Sequence, residues 1–152
     1  MPKGRELVGL PVIGQDGGEK LGRVQDLLYD EKTGHLKALV LADGGWLRQP
    51  RVVDFARLRT RGPKVFTVAG ITDISHEIPT GMRRWQELKG LRLLDRDGRE
   101  LGQVEDLVID LPTGRVQGLE VSTGLVNDLL EGRQEIPIKD TFSWGPDAVI
   151  IN

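Results

Sequence analysis

The amino-acid sequence predicts an all-β protein made of two tandem small β-barrels, each of about five short strands, related by internal duplication. The first reason is a repeat, because residues 21–41 align with residues 101–121 without a gap and nine of the 21 positions are identical. Unrelated segments of ordinary composition would share about one or two. The second reason is that 20 glycines and 8 prolines in 152 residues favour many turns over long helices.

The duplication covers nearly the whole chain. The offset between the copies is 80 residues in the middle; it becomes 81 toward the N-terminus, where Leu7 matches Leu88, and 83 toward the C-terminus, where Gly62 matches Gly145. Each change of offset falls in a stretch typical of loops, where insertions are tolerated. The sequence thus predicts three parts, which are repeat 1 at residues 1–70, a linker at 71–82 and repeat 2 at 83–152.

Each repeat is predicted to contain five short strands. Asp-Gly and Thr-Gly dipeptides indicate hairpin turns between apolar stretches. In the second strand Val24 lies three positions before Leu27, and Val104 three before Leu107, so a bulge between them is needed to keep one inner face. The predicted strands are 11–13, 22–30, 36–41, 51–55 and 65–68, followed by 91–94, 102–110, 116–121, 135–138 and 148–151.

The order of these motifs resembles the PRC-barrel domain. Both repeats show a Leu-x-Gly opening, an Asp-Gly turn, the run Leu-Gly-x-Val-x-Asp-Leu, a further Asp and then Thr-Gly before an apolar strand, over residues 7–68 and 88–151. That family includes the cytoplasmic part of the photosynthetic reaction centre H subunit and the C-terminal domain of a ribosome maturation factor. The resemblance implies a compact barrel that docks onto other macromolecules, with no family-wide catalytic residues.

Composition excludes several kinds of site. The chain has no cysteine, which excludes disulfides, thiolate metal sites and cysteine nucleophiles. A metal site needs about three or four ligands, and only Glu77 lies beside one of the two histidines, His35 and His76, so we predict no metal or cofactor. No apolar run approaches the roughly 20 residues that cross a bilayer, and the N-terminus lacks a secretion signal. We therefore expect a cytoplasmic protein without membrane insertion.

Paired aspartates are the most tempting candidates for chemistry. Asp26 and Asp106 lie at the predicted bulges, and Asp30 and Asp110 precede the Thr-Gly turns. Acid–base catalysis would need a pocket and a neighbour that shifts the pKa of the carboxyl group. The alternative is that these carboxylates accept backbone N–H groups at bulges and turns. Their presence in both repeats favours the structural role, because a duplicated fold must duplicate its turns, and no catalytic residue is predicted.

Six residues of repeat 1 form the predicted partner-binding site. They combine aromatic and cationic side chains within a short span, namely Trp46, Arg48, Arg51, Arg57, Arg59 and Arg61. If residues 57–61 are extended, the last three arginines project to the same side of the strand. Such a row could contact phosphates or an acidic protein surface. The alternative is a solvated rim that protects an edge strand.

Three hypotheses for function follow, of which the third, an enzyme, would require a deep polar cleft between the barrels with carboxyl groups of shifted pKa. The first is a non-catalytic adaptor or assembly module that binds protein partners, and the second is binding to RNA or the ribosome through the arginines of repeat 1. Residues 1–70 carry a net charge of +4 and residues 71–152 one of −6, a split that concerns association and not fold. A unit of about 70 residues is marginally stable alone, so the repeats either pack on each other or pair with a second chain as a homodimer.

Overall fold

The structure of the chain is a computed structural model that describes residues 1–42, 49–124, 132–139 and 142–151. The first half holds β1 (Pro11–Gly14), β2 (Lys20–Asp30), β3 (His35–Leu41), β4 (Arg51–Asp54), β5 (Thr60–Arg61), β6 (Phe66–Val68) and β7 (Ile74–Ser75). The second half holds β8 (Arg83–Arg84), β9 (Arg92–Leu94), β10 (Glu100–Asp110), β11 (Arg115–Ser122), β12 (Gln134–Pro137), β13 (Ser143–Trp144) and β14 (Ala148–Ile150). The helical elements of the described residues are α1 (Gly4–Leu7) and 3-10 turns at Phe55–Arg57, Ile71–Asp73 and Trp85–Glu87.

Each repeat is a curled sheet built on one long antiparallel hairpin. In repeat 1, β2 pairs with β3, while β1 adds to the other side of β2 and β4 to the other side of β3. Strand β6 pairs with β1 in parallel. Repeat 2 has the same arrangement, with β10 and β11 as the hairpin and β9, β12 and β14 around it. The prediction of a mostly β, duplicated fold is confirmed, and the short helical turns are additions that it did not contain.

The predicted bulges are present in both long hairpins. The pairing of β2 with β3 slips by one residue between Val24 and Asp26, and that of β10 with β11 slips between Val104 and Asp106. Each slip restores the inner face, so that Val24 and Leu27 are both buried. The aspartate at each bulge is buried as well, which places a carboxylate inside the fold.

The two repeats of the chain pack on each other with approximate twofold symmetry. The Leu36 N–H donates to the Gly114 carbonyl oxygen at 2.8 Å, and the Val116 N–H donates to the Gly34 carbonyl oxygen at 3.0 Å. Because the sequence offset is 80 residues here, these are the same bond with the two repeats exchanged. The contact joins the turn of one long hairpin to the start of the strand that follows the other turn.

Each repeat also lends the residues before its first strand to the other repeat. We call these residues, 2–7 and 83–88, the lead segments. In the second lead segment β8 pairs with β2 of repeat 1, with Arg84 opposite Leu28. Lys3, the counterpart of Arg84, forms a β-bridge with Val108, the counterpart of Leu28. The exchange interlocks the two repeats.

One hydrophobic core runs through both repeats. Tyr29 of repeat 1 stacks on Phe142 of repeat 2, with 4.9 Å between ring centroids, and lies 5.7 Å from the Trp144 ring. Phe55 packs so closely on Gly114 that a Cβ there would lie 2.6 Å from its ring. A stacked aromatic pair such as Tyr29 and Phe142 stabilises a fold by about 0.5–1.5 kcal/mol beyond the effect of the area it buries. The described buried residues of each repeat therefore pack into one cluster with those of the other.

Candidate interaction surfaces

The predicted partner-binding residues lie in different local environments. Trp46 and Arg48 are outside the described residues. Arg51 begins β4, and its guanidinium donates to the Leu21 carbonyl oxygen of β2, on the far side of β3. This contact holds β4 against β2, so Arg51 acts within repeat 1.

The expected extended row of arginines over residues 57–61 is not formed. Arg57 ends the 3-10 turn Phe55–Arg57 and pairs with Asp73 at 3.4 Å. Arg59 follows the turn and lies 3.7 Å from Asp16. Both guanidinium groups remain on the surface, since the side chains of Arg57 and Arg59 are 65% and 51% exposed. They are therefore two separate surface ion pairs.

Arg61 lies at the contact between the repeats. Its guanidinium donates to the carbonyl oxygens of Pro112, in repeat 2, and of Phe55. The same group lies 4.5 Å from the centroid of the Phe55 ring, which is the geometry of a cation–π contact. Arg61 therefore joins the repeats.

The buried aspartates have the structural role that the sequence favoured, and they extend it across the junction. Asp26 accepts the N–H of Leu27 at 2.9 Å within its own bulge, and the N–H of Gln86 in the other repeat's lead segment at 3.1 Å. Asp106 accepts the N–H of its own neighbour Leu107 at 2.7 Å. It also accepts the N–H of Arg5, the counterpart of Gln86, at 3.0 Å. Each bulge carboxylate thus fastens the exchanged lead segment.

Asp106 belongs to a larger charged network. Its carboxylate also accepts the Trp85 Nε1–H at 2.7 Å and a guanidinium N–H of Arg5 at 3.2 Å. Arg5 in turn binds Glu120 at 2.8 Å, and Arg133 binds the same carboxylate at 3.1 Å. Burial acts to raise the pKa of Glu120, but the hydrogen bonds and charges of the two arginines outweigh it and hold that pKa below its ordinary value.

A small cavity of about 250 Å³ lies beside this network, between the lead segments and β10. Its polar lining includes Lys89, Glu105 and Asp106. Since Asp106 already accepts N–H groups at both oxygens, it has no lone pair aimed at a substrate. Within the described residues no three His, Asp or Glu side chains are grouped to bind a metal ion. The contacts of Asp106 therefore hold the junction of the two repeats together.

An open groove crosses the outer face of repeat 2. Its cavity is about 270 Å³ and extends from the N-terminus over β11 to strand β12. We call it the repeat 2 groove, and it is lined by Met1, Val108, Gln117, Gly118, Glu135, Ile136 and Pro137. Among the described residues β12 pairs with β11 alone, so its outer edge presents unpaired backbone groups.

The matching face of repeat 1 is covered. Strand β4, the counterpart of β12, pairs with β7 of the predicted linker at its outer edge. Further along the linker, Ile78 and Met82 pack on the cluster Leu28, Ala38, Val40 and Val52. Met82 corresponds to Met1, whose side chain is 66% exposed beside the groove. Within the part of the chain that the structure describes, the same face of the fold is thus closed in one repeat and accessible in the other.

Comparison with known families agrees with this duplicated architecture. The sequence profile of the PRC-barrel domain matches residues 3–74 and, a second time, residues 80–152. The chain belongs to the PRC-barrel family. The second match starts within the predicted linker, and the first one ends at Ile74, the first residue of β7, which pairs with β4 of the first PRC barrel.

Family membership indicates a small binding or assembly module, because the PRC barrel is a non-catalytic domain used for protein interactions. A search of curated protein sequences finds no match to this tandem PRC-barrel chain. Within its described residues, no helix has both the length and the apolar character needed to span a bilayer. The family therefore indicates a class of function, and the kind of partner has to be inferred from the surfaces of this chain.

Sequence reasoning missed the repeat 2 groove, although the alignment of the two PRC repeats contains a signal for it. Val40 and Val52 of repeat 1 correspond to Glu120 and Glu135 of repeat 2. An apolar pair in one copy and an acidic pair in the other, at positions on the outer face, is the pattern of a face that an apolar segment covers in one copy only. The junction network left no such signal, because its partners lie up to 115 residues apart.

Proposed function

We propose that this tandem PRC-barrel protein is a non-catalytic cytoplasmic adaptor or assembly module that binds protein partners. The observation that carries the proposal is the repeat 2 groove, which lies beside a strand edge that no described residue pairs with, on a body whose two repeats are interlocked. Exposed strand edges bind extended protein segments through main-chain hydrogen bonds. An interlocked body presents such an edge in a fixed orientation, which suits assembly.

Arg57 and Arg59 are the members of the predicted partner-binding set that we propose as a second contact. Each forms a surface ion pair, which contributes about 0.2–1 kcal/mol, so an acidic partner can compete for the guanidinium group. Arg51 and Arg61 bind backbone carbonyl oxygens instead, and their loss would loosen the fold. This division separates binding from stability in any mutagenesis of the set.

Affinity purification of the tagged full chain from the cells that produce it, with and without RNase, tests the proposed function. We expect a protein that co-purifies in stoichiometric amount, survives RNase and cross-links to the chain. Retention of material that disappears with RNase would instead favour the RNA hypothesis. The absence of any stoichiometric protein would contradict the proposal.

The RNA hypothesis has a separate test in a salt titration of RNA binding. Phosphate contacts make affinity fall steeply with salt, and the double variant Arg57→Glu/Arg59→Glu would lower it further at every salt concentration. Arg96→Glu/Arg99→Glu is the matched control, since it reverses two exposed charges on repeat 2. If the wild-type chain shows no affinity for RNA at low salt, or if both double variants weaken it equally, the arginines of repeat 1 are not an RNA site.

A further inference from the structure

We infer that the repeat 2 groove binds an extended segment of a partner protein as an added β-strand, in the same way that repeat 1 binds the linker. The inference rests on the proposed function and specifies the partner's binding segment. It starts from the internal duplication, because one copy of the fold shows which kind of segment covers the face that the other copy leaves open.

The covered face of repeat 1 provides the template. Strand β7 of the linker runs antiparallel to β4, with Ile74 opposite Val53 and Ser75 opposite Val52. The chain then crosses the outer face of the sheet, where Ile78 packs on the cluster beneath. Residues of the groove are the counterparts of this surface, with Val108, Gly118, Glu135 and Ile136 in the places of Leu28, Ala38, Val52 and Val53.

The backbone of β12 has the direction that strand addition requires. The Ile138 N–H donates to the Gln117 carbonyl oxygen of β11 at 2.8 Å. Backbone groups point alternately to the two sides of an antiparallel strand, so the N–H and C=O of Glu135 point away from β11. Val52, the counterpart of Glu135, is the residue that pairs with Ser75 of the linker. Glu135 therefore offers the same pair of hydrogen bonds to a strand from a partner.

The length of the added strand is limited by the next outward-facing residue. Pro137 has no N–H to donate, so it ends the ladder of hydrogen bonds on one side of Glu135. The linker also forms only a two-residue strand on β4 before it turns over the sheet. We therefore expect a short strand followed by an anchoring side chain, and not a long added strand.

The charge of the groove determines which anchor fits. Where repeat 1 has Val40 and Val52 beneath Ile78, repeat 2 has Glu120 and Glu135. Glu120 is buried and held by two arginines. The Glu135 side chain is 54% exposed, and one cation of the described residues, Lys3, lies 2.9 Å from it. A second cation can approach its free side. The partner segment should therefore carry arginine or lysine at the position that corresponds to Ile78.

A synthetic peptide tests this inference directly. The probe is a fluorescently labelled peptide with the sequence of residues 71–82 and the substitution Ile78→Arg, and the readout is fluorescence anisotropy with the full chain. We expect saturable binding, with the unsubstituted peptide about fivefold weaker because it lacks the exposed charge contact with Glu135. Repeat 1 should not compete for the probe, because its own tethered linker has a far higher effective concentration than a free peptide. The absence of saturable binding would overturn the inference.

Two variants of the chain locate the binding. Glu135→Pro removes the outward N–H and should abolish binding, whereas Glu135→Gln keeps that N–H and should weaken binding only about fivefold, the loss of one exposed charge contact. Glu100→Gln, which removes a half-exposed carboxylate of the same repeat outside the groove, is the matched control and should bind like the wild type. Equal binding by the Glu135→Pro and wild-type chains would show that the peptide does not add to β12.

The outcomes separate this inference from the proposed function. If the peptide fails, or if Glu135→Pro leaves the RNase-resistant partner bound, the inference is wrong while the adaptor proposal stands. If the peptide binds in the groove but no protein partner co-purifies, the adaptor proposal fails by itself. Sedimentation identifies a third case, because a wild-type dimer that Glu135→Pro converts to a monomer would show that a second copy of the chain covers the groove, which contradicts a partner segment.

Discussion

Asp26 and Asp106 occupy equivalent bulges, yet their buried carboxylates have different partners. Asp106 accepts hydrogen bonds at both oxygens, from two backbone N–H groups, the Trp85 indole and the Arg5 guanidinium. Asp26 accepts two backbone N–H groups at Oδ1, while its Oδ2 has no hydrogen-bond partner among the described residues. Consistently, burial raises the pKa of Asp26, and its two hydrogen bonds offset this only in part.

The difference originates in the lead segments. Trp85, which reaches Asp106, corresponds to Gly4, which has no side chain to offer Asp26. Arg5 corresponds to Gln86, whose side chain donates to the Gln25 carbonyl oxygen instead. The bulge needs only one acceptor oxygen, so the duplicated backbone preserves that contact in both repeats. In repeat 2 the Trp85 indole adds a second donor to Oδ1 of Asp106, and Arg5 gives Oδ2 both its backbone N–H and a guanidinium N–H. Among the described residues, Oδ2 of Asp26 receives neither.

The largest effect that tests this comparison is expected from Asp106→Asn. The variant removes the negative charge from four donors and turns an NH₂ group toward some of them, so the free energy of unfolding should fall by about 3 kcal/mol. Asp26→Asn is the matched control and should cost less than about 1 kcal/mol, because Oδ1 can still accept both N–H groups. Urea denaturation of both variants measures the difference.

Equal losses for the two variants would mean that the side-chain donors of Asp106 contribute nothing beyond the shared backbone contacts. The different numbers of donors to Asp106 and Asp26 would then have no effect on the free energy of unfolding. A larger loss for Asp26→Asn would contradict the comparison outright.

The second test concerns Gly4, which leaves room for the Trp85 ring. A Cβ at Gly4 would clash with Trp85 Nε1 and would lie 2.6 Å from an oxygen of Asp106. Alanine is otherwise the better residue in the helical turn α1, so a loss of about 2 kcal/mol on Gly4→Ala would arise from overpacking. In a Trp85→Ala background the same substitution should cost much less. A cost that is unchanged in that background would assign the effect to the backbone of Gly4 and not to the indole.

The third test uses pH, because Asp26 and Glu120 respond in opposite directions. The pKa of Asp26 is raised from 3.8 by burial, so its contribution to stability is complete below 3.8 and is lost as pH rises through the folded-state pKa. The pKa of Glu120 is lowered from 4.5, so its contribution is complete above 4.5 and is lost as pH falls through the folded-state pKa.

Asp26→Asn and Glu120→Gln should therefore change the pH dependence with opposite signs. Denaturation series between about pH 3 and pH 7 give the free energy of unfolding of the wild type and of each variant, and the variant's value is subtracted from that of the wild type at each pH. This difference should decrease with rising pH for Asp26→Asn and increase for Glu120→Gln. If the two differences changed with pH in the same direction, the opposite pKa shifts of Asp26 and Glu120 would be contradicted.

The strands, bulges and turns of this fold could be predicted because each is determined by residues that are close together in the sequence. The three-residue spacing of Val24 and Leu27 requires a bulge, and glycine after Thr33 closes the hairpin, so both features follow from neighbours in the chain. The exchange of lead segments could not be predicted in this way. Lys3 meets Val108 and Arg84 meets Leu28 across the junction, and short polar segments carry no periodicity that indicates a distant strand.

The candidate sites show the same limit. Asp54 accepts the Ala56 N–H at 3.0 Å and starts a 3-10 turn that ends at Arg57, so residues 57–61 do not form the one extended segment that a row of arginines requires. The acceptor role of Asp26 and Asp106 was predictable from the bulge, but their contacts with the other repeat were not. The groove exists because the linker covers the outer face of repeat 1 and not that of repeat 2. Which face the linker covers is decided by tertiary packing, which the sequence pattern does not indicate.

The smallest expected effect comes from giving Asp26 the partner that it lacks. Gln86→Arg places a guanidinium group where Arg5 stands in the other repeat, while Arg84 remains 3.9 Å from the Asp26 carboxylate. The new contact replaces the bond from Gln86 to Gln25, so the net gain in the free energy of unfolding should be only about 0.5 kcal/mol at neutral pH. Urea denaturation at high protein purity can resolve it.

The control for the stabilisation by Gln86→Arg is to remove the negative charge of Asp26, which is expected to produce it. In an Asp26→Asn background Gln86→Arg should give no stabilisation, and in the wild-type background the gain should disappear at a pH low enough to protonate Asp26, since a neutral carboxyl group attracts the guanidinium weakly. A gain that persists under both conditions would come from packing of the longer side chain on the junction. The difference between the two aspartates would then depend on more of the lead segment than positions 85 and 86.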